Sequence, residues 1–168
     1  MLISFLISQQ NHIVRIRRCI GNICERYGKA VCAEKELESG EKLYGFPSPD
    51  ALAQASEEEL RDCNLGYRAK YVSRAAKAVA EGNCSLEKIK TMSYLEAKAA
   101  LLELYGVGEK VADCICLFGL HHLEAFPVDT HIRQALEAHY RRGFPKRKYR
   151  GIEGVLQQYI FYYELTGR

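Results

Sequence analysis

The sequence has no apolar stretch long enough to cross a membrane. Its opening run, MLISFLI, is short and lacks the basic leader of a secretory signal peptide. We expect this run to form either an inner strand or a shortened helix. A membrane protein or a secreted precursor is therefore not indicated.

The seven cysteines are odd in number, scattered, and never spaced as a CxxC pair. This spacing gives no zinc or iron–sulfur signature. It is typical of reduced thiols in an intracellular protein, most of them small core residues. The positions are Cys19, Cys24, Cys32, Cys63, Cys84, Cys114 and Cys116.

No segment shows a convincing strand pattern, and no repeat or low-complexity linker divides the chain. At 168 residues, with 48% hydrophobic and 27% charged residues, the chain suits one domain or two small lobes that share an interface. We predict an all-α fold of about nine helices, with two helical lobes around a cleft.

Helical spacing and capping residues define the expected helices. Apolar residues recur at helical spacing over 11–28, where Gly28 ends the pattern. Ser56 and Glu59 have the spacing of a capping box, and Ser48 or Asp50 caps the helix before it. Ser85 and Ser93 cap two later helices. Further helices are expected within 43–55 and over 67–82, 85–91, 94–104, 130–140 and 152–165.

Two glycines, Gly106 and Gly108, flank Val107 between the helical patterns at 94–104 and from about 109 onward. Glycine can adopt positive φ and leaves backbone amides uncovered. Those amides and the N-terminus of the second helix can bind a phosphate oxygen. This is the arrangement of a helix–hairpin–helix, which holds a nucleic-acid backbone without reading its sequence.

Lys110 lies in the first turn of the helix that follows the hairpin. The positive end of the helix dipole and partial burial would both favour its free amine, which a nucleophile requires. The alternative is a surface lysine paired with Asp113, three residues on, and for an arbitrary helical lysine this alternative is far commoner. Asp129 also has two compatible roles, as the N-cap of the next helix and as a carboxylate that stabilises a nearby cation.

The net charge of +3 is unevenly distributed. Residues 1–30 carry five basic residues against one acidic residue, and RRGFPKRKYR, at 141–150, has six basic residues and none that are acidic. The second run is either a solvated loop or a binding patch, and the neighbouring hairpin makes the two interpretations about equal. Ser8 to Asn11 similarly forms either an N-cap region or a set of amides facing base edges; the sequence favours the cap.

The segment GVGEKVADC, at 106–114, and PVDTH, at 127–131, closely resemble the signature of the helix–hairpin–helix (HhH-GPD) DNA glycosylases. Within them the chain resembles the 8-oxoguanine DNA glycosylase/AP lyases. FLISQQNHIVRI, YGFPSPDALA, LGYRAKYV and GVLQQYIFYYE also resemble segments of that family. The resemblance implies one HhH-GPD domain over 1–168, with the hairpin at about 94–120.

The resemblance also implies the role of each site residue. Lys110 would attack the sugar C1′, displace the damaged base and form a Schiff base, which permits β-elimination. Asp129 would stabilise the oxocarbenium-like charge. Because C1′ is blocked inside the stack, the base has to leave the duplex. Cys114 and Phe161 would sandwich that base, Gln157 would bond its Watson–Crick edge, and His131 would lie near the phosphate or base.

On the DNA side, the resemblance implies that Tyr67 wedges into the base stack while Arg68 and Gln10 face the orphaned cytosine. The remaining expected DNA contacts are Asn11, Gly106, Val107 and Gly108. Three features depart from the family. Gln10 replaces a more typical asparagine, Tyr105 replaces the usual proline, and the chain has no room for the β domain that distinguishes oxidised purine from guanine.

These observations favour a bifunctional DNA glycosylase/AP lyase that acts on 8-oxoguanine in double-stranded DNA. The alternatives are an AP lyase with little base selectivity and a non-catalytic DNA-binding module. Cysteine is absent after residue 116, which excludes the C-terminal iron–sulfur cluster of endonuclease III-like relatives. We expect no cofactor and no redox metal, apart from a monovalent cation at the hairpin carbonyls. We also expect an intracellular monomer, in a nucleus or in a bacterial cytoplasm and nucleoid.

Overall fold

The computed structural model describes residues 1–31 and 42–167. Within these ranges it contains ten α-helices and one two-stranded sheet, so the predicted all-α class is confirmed. No helix in these ranges is long and apolar enough to cross a membrane. The helices are α1 (Leu2–Ser8), α2 (Ile13–Tyr27), α3 (Pro49–Ala53), α4 (Glu57–Leu60), α5 (Ala69–Ala80), α6 (Leu86–Ile89), α7 (Tyr94–Leu102), α8 (Glu109–Gly119), α9 (Thr130–His139) and α10 (Glu153–Thr166).

The chain divides into two compact units. One contains Met1–Leu2, Glu87–Glu103 and Val107–Arg168, and we call it the lysine unit because it contains Lys110. The other contains Ile3–Leu86 and Leu104–Gly106, and we call it the tyrosine unit because it contains Tyr67. The chain passes from one unit to the other within the hairpin that follows α7.

Each unit has its own apolar core. In the tyrosine unit α3 packs on α5, and in the lysine unit α7 packs on α8 and α9 packs on α10. Burial of these side chains is the main stabilising contribution in each unit. The tyrosine-unit core includes Leu6, Ile7, Ile23, Leu52, Leu60, Leu65 and Val72. The lysine-unit core includes Ile89, Leu101, Val111, Ile115, Ala125, Ile132 and Ala135.

Local capping chemistry explains where several helices begin. Ser48 caps α3 by accepting a hydrogen bond from the Ala51 amide at 3.3 Å, which decides between the two expected caps. Ser56 and Glu59 form the predicted capping box of α4. Ser93 caps α7 in the same way, with its backbone amide donating to Glu96 at 3.0 Å. These caps satisfy amides that the helix itself leaves without partners.

Four expectations needed correction or were decided by the structure. The opening run is a helix, α1, rather than a strand. Two short strands, β1 (Ala30–Val31) and β2 (Leu43–Tyr44), pair antiparallel although no strand was expected. Each has only two residues, too few to show a period-2 pattern. The helix expected over 67–82 begins with a 3₁₀ turn, Gly66–Arg68, and a π-helical turn precedes it at Arg61–Leu65.

The fourth correction concerns the polar residues before α2. His12 is the N-cap, because its ring nitrogen accepts a hydrogen bond from the Arg15 amide at 3.4 Å. The expected cap at Ser8 to Asn11 is therefore wrong.

The cysteines agree with the prediction of reduced, mostly buried thiols. All six described cysteines are free thiols, and five of them are buried. Cys32 lies outside the described residues.

We predict opposite effects on stability from two glycine substitutions. A Cβ at Gly154 would lie 2.4 Å from the Ala125 carbonyl oxygen and 2.5 Å from Leu117 Cδ1, so Gly154→Ala should destabilise the protein by about 1–3 kcal/mol. Gly21, inside α2, has open space around it, so Gly21→Ala should stabilise by about 0.5–1 kcal/mol. Chemical denaturation of both variants measures the difference. An unchanged midpoint for Gly154→Ala would contradict the close approach.

Candidate functional site

The hairpin between α7 and α8 requires glycine at its first position. Gly106 has φ of +89°, and a Cβ there would lie 2.6 Å from the Tyr71 ring. Val107 is buried, and Gly108 is the N-cap of α8 without a side-chain hydrogen bond. The first turn of α8 thus begins at a residue that has no side chain to cover its amides. This is the local geometry expected for a phosphate-binding hairpin.

The structure brings Lys110, Cys114 and Asp129 together in the lysine unit. Burial raises the pKa of the Cys114 thiol, while the charge of Lys110 and its hydrogen bond to the thiol act in the opposite direction. The carboxylates of Asp113 and Asp129 add to the rise. Both candidate catalytic groups therefore lie within electrostatic range of one buried sulfur atom.

Lys110 is exposed, so the expected partial burial of its side chain is wrong. The helix residues from Val111 to Leu117 are buried, whereas Lys110, immediately before them, is exposed. The alternative partner of Lys110 is also occupied. Asp113 Oδ1 forms an ion pair with Lys98 Nζ at 2.9 Å. Lys110 forms no ion pair with any residue of the ranges 1–31 and 42–167.

Lys98, on α7, connects three polar groups of the hairpin helices. Its Nζ lies 2.6 Å from Glu109 Oε2 as well as 2.9 Å from Asp113 Oδ1. The Tyr94 hydroxyl donates to the same Asp113 oxygen at 2.7 Å. Burial lowers the pKa of Lys98, but the hydrogen bonds to Glu109 and Asp113 outweigh it and raise the pKa overall. Burial and the bond to Asp113 raise the pKa of Tyr94.

Asp129 is the N-cap of α9, as the sequence predicts. Its Oδ1 accepts a hydrogen bond from the Ile132 amide at 2.8 Å. A side-chain oxygen in this position satisfies an amide that the helix itself leaves without a partner. The cap therefore fixes both the position of a negative charge and its orientation relative to α9.

The remaining expected pocket residues lie on α9 and α10. Gln157 is buried, and His131 meets Phe161 edge-on with ring centroids 5.9 Å apart. One turn further along α10, Glu164 pairs with His139 at 3.4 Å, so this side of α10 faces α9. The sandwich of a base between Cys114 and Phe161 stays a prediction.

A cavity of about 480 Å³ lies on the opposite side of α10. Its walls include Val155, Tyr159 and Tyr162, whose helical positions are turned away from Gln157 and Phe161. The expected base-pocket residues do not line it. Phe118 contributes to its wall and is 44% exposed.

In the tyrosine unit the expected DNA-facing residues form one hydrogen-bonded group. Tyr67 is 45% exposed, and its hydroxyl donates to the Gln9 carbonyl at 3.3 Å and to Gln10 Oε1 at 3.5 Å. Gln10 has positive φ, +47°, an uncommon conformation for a residue with a side chain. Asn11 donates from its side chain to the Ile7 carbonyl at 3.1 Å.

Arg68 has a different environment from Tyr67. It is 3% exposed, and its guanidinium donates to the backbone carbonyls of Gln9 and Gln10. Its charge is thus directed at the turn before α2. Tyr67 and Gln10 are the exposed members of the group.

Sequence reasoning missed three residues that shape the site. Gln9 Nε2 donates to the Gly106 carbonyl at 3.0 Å and so ties the hairpin to the turn before α2. Tyr71 underlies Gly106, and Lys98 holds Asp113. A signal existed only for Tyr71, which follows Tyr67 at helical spacing. The other two pairings join residues far apart in sequence.

The basic run 141–150 is organised around Phe144. The Phe144 ring lies 4.9 Å from Phe126, 5.3 Å from Tyr140 and 5.7 Å from Tyr149. All six basic side chains are exposed, and none forms an ion pair with any other described residue. We call this segment the basic loop.

Metal-ligand clusters of three or more His, Cys, Asp or Glu do not occur among residues 1–31 and 42–167. One hairpin carbonyl, that of Gly106, accepts the Gln9 hydrogen bond. The expected monovalent cation at the hairpin stays a prediction.

Comparison with known proteins adds independent evidence. A probable N-glycosylase/DNA lyase of Methanothermobacter thermautotrophicus is 33% identical, over 95% of this chain and 58% of that protein. The apo crystal structure of Clostridium acetobutylicum 8-oxoguanine glycosylase/lyase superposes with a TM-score of 0.87 at 37% identity, over 96% of this chain and 58% of that one. The same enzyme bound to double-stranded DNA containing cytosine opposite 8-oxoguanine gives 0.87 at 35% identity, over 99% and 59%.

The chain therefore spans less than two thirds of the length of these relatives. A family model described as HhH-GPD superfamily base excision DNA repair protein matches residues 3–157. The match includes the hairpin, Lys110, Asp129 and Gln157. Because it covers nearly the whole chain, this protein belongs to the HhH-GPD superfamily of base excision DNA repair proteins.

Proposed function

We propose that this protein is a bifunctional DNA glycosylase/AP lyase that removes 8-oxoguanine from double-stranded DNA. The observation that carries the proposal is the convergence of Lys110 and Asp129 on the buried Cys114 thiol. A clamp for the DNA backbone alone would need neither the lysine nor the carboxylate. The 8-oxoguanine glycosylase/lyase of C. acetobutylicum, which shares 37% identity, supports the choice of substrate.

In the proposed reaction the free amine of Lys110 attacks C1′ of the damaged nucleotide. The C1′–N bond breaks, its electron pair leaves with the base, and the base takes up a proton. The C1′–O4′ bond of the sugar ring then breaks: the nitrogen lone pair forms the C=N bond of a Schiff base between Nζ and C1′, and O4′ takes up a proton to become a hydroxyl. This imine acidifies the C2′ proton, and its removal expels the 3′ phosphate oxygen by β-elimination. Water then hydrolyses the imine and regenerates Lys110.

Asp129 contributes a fixed negative charge. Its orientation is set by the hydrogen bond from the Ile132 amide, so no reorganisation is needed when positive charge develops on the sugar. A charged group that is already oriented before the transition state forms gives strong electrostatic stabilisation in an enzyme site. Its second oxygen takes no part in the hydrogen bond from the Ile132 amide and is assigned to the reaction.

The flipped base is assigned to the side of α10 that faces α9. Gln157 and Phe161 are four residues apart and therefore share this side. Phe161 is held edge-on by His131, which gives the ring a defined orientation. Cys114 supplies the opposite wall of the proposed sandwich, and Gln157 supplies hydrogen bonds to the base edge.

Duplex DNA is assigned to the hairpin, the turn before α2 and the basic loop. Gly106, Val107 and Gly108 would bind a phosphate. Tyr67 would enter the stack, with Gln10 and Asn11 beside the unpaired cytosine, while Arg68 supports their backbone. The basic loop would neutralise further phosphates because its six exposed charges form no ion pair with the described residues.

An AP lyase with little base selectivity is the second candidate. The chain spans only 58% of the length of the C. acetobutylicum enzyme, so the similarity by itself does not assign base selection to this chain. The two candidates differ in the first step but share Lys110 and the Schiff base.

Borohydride trapping on two duplexes tests the proposal. With 8-oxoguanine opposite cytosine and with an abasic site, we expect covalent adducts in both, and none with Lys110→Gln. The glutamine variant should still bind DNA, because the hairpin is unchanged. Lys90→Gln, a change at an exposed lysine of the same unit, is the control and should trap normally. An adduct on the abasic duplex alone would leave the lyase, and no adduct on either would remove the catalytic proposal.

Two variants at Asp129 separate the cap from the charge. Asparagine can still accept the Ile132 hydrogen bond, so Asp129→Asn should retain stability yet lower the rate of trapping on the order of 10²-fold. Asp129→Ala should slow trapping by the same factor and should also lower the free energy of unfolding by about 1 kcal/mol. Single-turnover trapping and chemical denaturation measure the two effects. Wild-type rates in Asp129→Asn would restrict Asp129 to the cap.

Neutralising the basic loop should change the salt dependence of DNA binding. The triple variant Lys146→Gln/Arg147→Gln/Lys148→Gln should reduce the slope of log Kobs against log[salt] by about 2 to 3, since each lost phosphate contact contributes about 0.9. The matched control neutralises the exposed lysines Lys77, Lys88 and Lys90, which removes the same net charge. Equal slopes for the two triple variants would mean that the effect comes from net charge alone. The basic loop would then be a solvated segment that does not contact phosphates.

A further inference from the structure

We propose that Lys98 is a positioning residue that keeps Lys110 free of a carboxylate partner. The inference rests on Lys110 being the nucleophile of the proposed reaction. The two carboxylates nearest to Lys110 along α8 are those of Glu109, one residue before it, and Asp113, three residues after it. The ammonium of Lys98 lies within 2.9 Å of both.

The spacing of these carboxylates explains why a competing partner is needed. Residues three apart on a helix are neighbours, so an unoccupied Asp113 would pair with Lys110. Such a pair stabilises the ammonium form, which has no lone pair to donate.

Lys98 acts on Lys110 through two electrostatic effects that have the same direction. It neutralises Glu109 and Asp113, and it adds a positive charge beside α8, which disfavours a second ammonium nearby. A neighbouring cation is a known means of activating a lysine nucleophile. The side chain of Lys98 is only 20% exposed, so solvent screens these interactions incompletely.

The titratable and charged groups around Lys110 come from three elements. Helix α8 supplies Cys114 in addition to the two carboxylates, α7 supplies Lys98, and the N-cap of α9 supplies Asp129. Asp129 is committed to the Ile132 amide, and the Tyr94 hydroxyl is committed to Asp113. Lys98 is thus the group that balances the two carboxylates flanking Lys110.

The test measures the reactivity of Lys110 as a function of pH in the absence of DNA. Limited labelling with an N-hydroxysuccinimide ester, followed by mass spectrometry of the peptide containing Lys110, reports its free amine. In Lys98→Gln the pH of half-maximal labelling should rise by about one unit, because two carboxylates are released. Lys98→Arg should restore the wild-type profile. An unchanged profile in Lys98→Gln would overturn the proposal, even if the variant is less stable.

A double-mutant cycle distinguishes this role from general charge effects. Glu109→Gln should move the labelling profile to lower pH further in the Lys98→Gln background than in the wild type, where Lys98 already holds the carboxylate. Equal shifts in the two backgrounds would overturn the proposal. Glu109 has 73% of its side chain exposed, so its replacement should not disturb the core.

The buried Asp113 carboxylate loses its ion-pair partner in Lys98→Gln, which can prevent folding. The comparison is therefore repeated in an Asp113→Asn background, where no buried charge is left unpaired. In that background Lys98→Gln removes the ion pair of Glu109 alone, and it should still raise the pH of half-maximal labelling of Lys110. No rise would overturn the proposal. Borohydride trapping by the wild-type protein is run in parallel. Absence of trapping with a Lys98-dependent labelling profile would reject the proposed reaction while retaining the electrostatic role of Lys98.

Discussion

The buried carboxylate of Asp113 is the constraint on which the hairpin helices depend. A buried charge without a partner is strongly destabilising, so a polar group must reach it from a neighbouring helix. Two groups of α7 do so: Lys98 at 2.9 Å and the Tyr94 hydroxyl at 2.7 Å. These bonds fix the register of α7 against α8. Lys110 lies in the first turn of the helix whose packing against α7 these bonds define.

Asp129 shows how a single side chain can serve both folding and chemistry. The helix N-terminus needs an acceptor, and the proposed reaction needs a fixed negative charge. One oxygen satisfies the Ile132 amide, which leaves the charge in place but restricts its motion. Structural and catalytic interpretations of such a residue therefore do not exclude each other. Only a substitution that keeps the acceptor and removes the charge can separate them.

Local chemistry explains which features could be predicted from the sequence. The capping boxes at Ser56 and Ser93, the N-cap at Asp129 and the start of α8 after Gly108 depend on residues within four positions of each other. The family signature placed Lys110 in the first turn of α8. In these segments, local preference and the final fold agree, which is why pattern reasoning succeeded.

Long-range pairings account for most of the features that were missed. Gln9 bonds to Gly106 across 97 positions, and Arg68 is buried against the turn before α2 across 58 or 59 positions. Lys98 and Asp113 are on different helices, so α8 alone suggested a Lys110–Asp113 pair. The N-cap of α2 was misassigned because four polar residues precede His12 and each offers an acceptor. No local preference distinguishes these cases before the chain is folded.

The two sides of α10 show why the cavity beside Tyr159 is not the assigned base site. The cavity beside Tyr159 and Tyr162 is almost entirely apolar in its lining, and no candidate catalytic group reaches it. A base needs hydrogen-bond partners as well as stacking surfaces, since an unpaired polar edge is costly to bury. Gln157 and Phe161 supply an amide and a ring on the side that faces α9, where His131 and the Asp129 cap also lie. Chemical complementarity, rather than volume, therefore assigns the flipped base to that side of the helix.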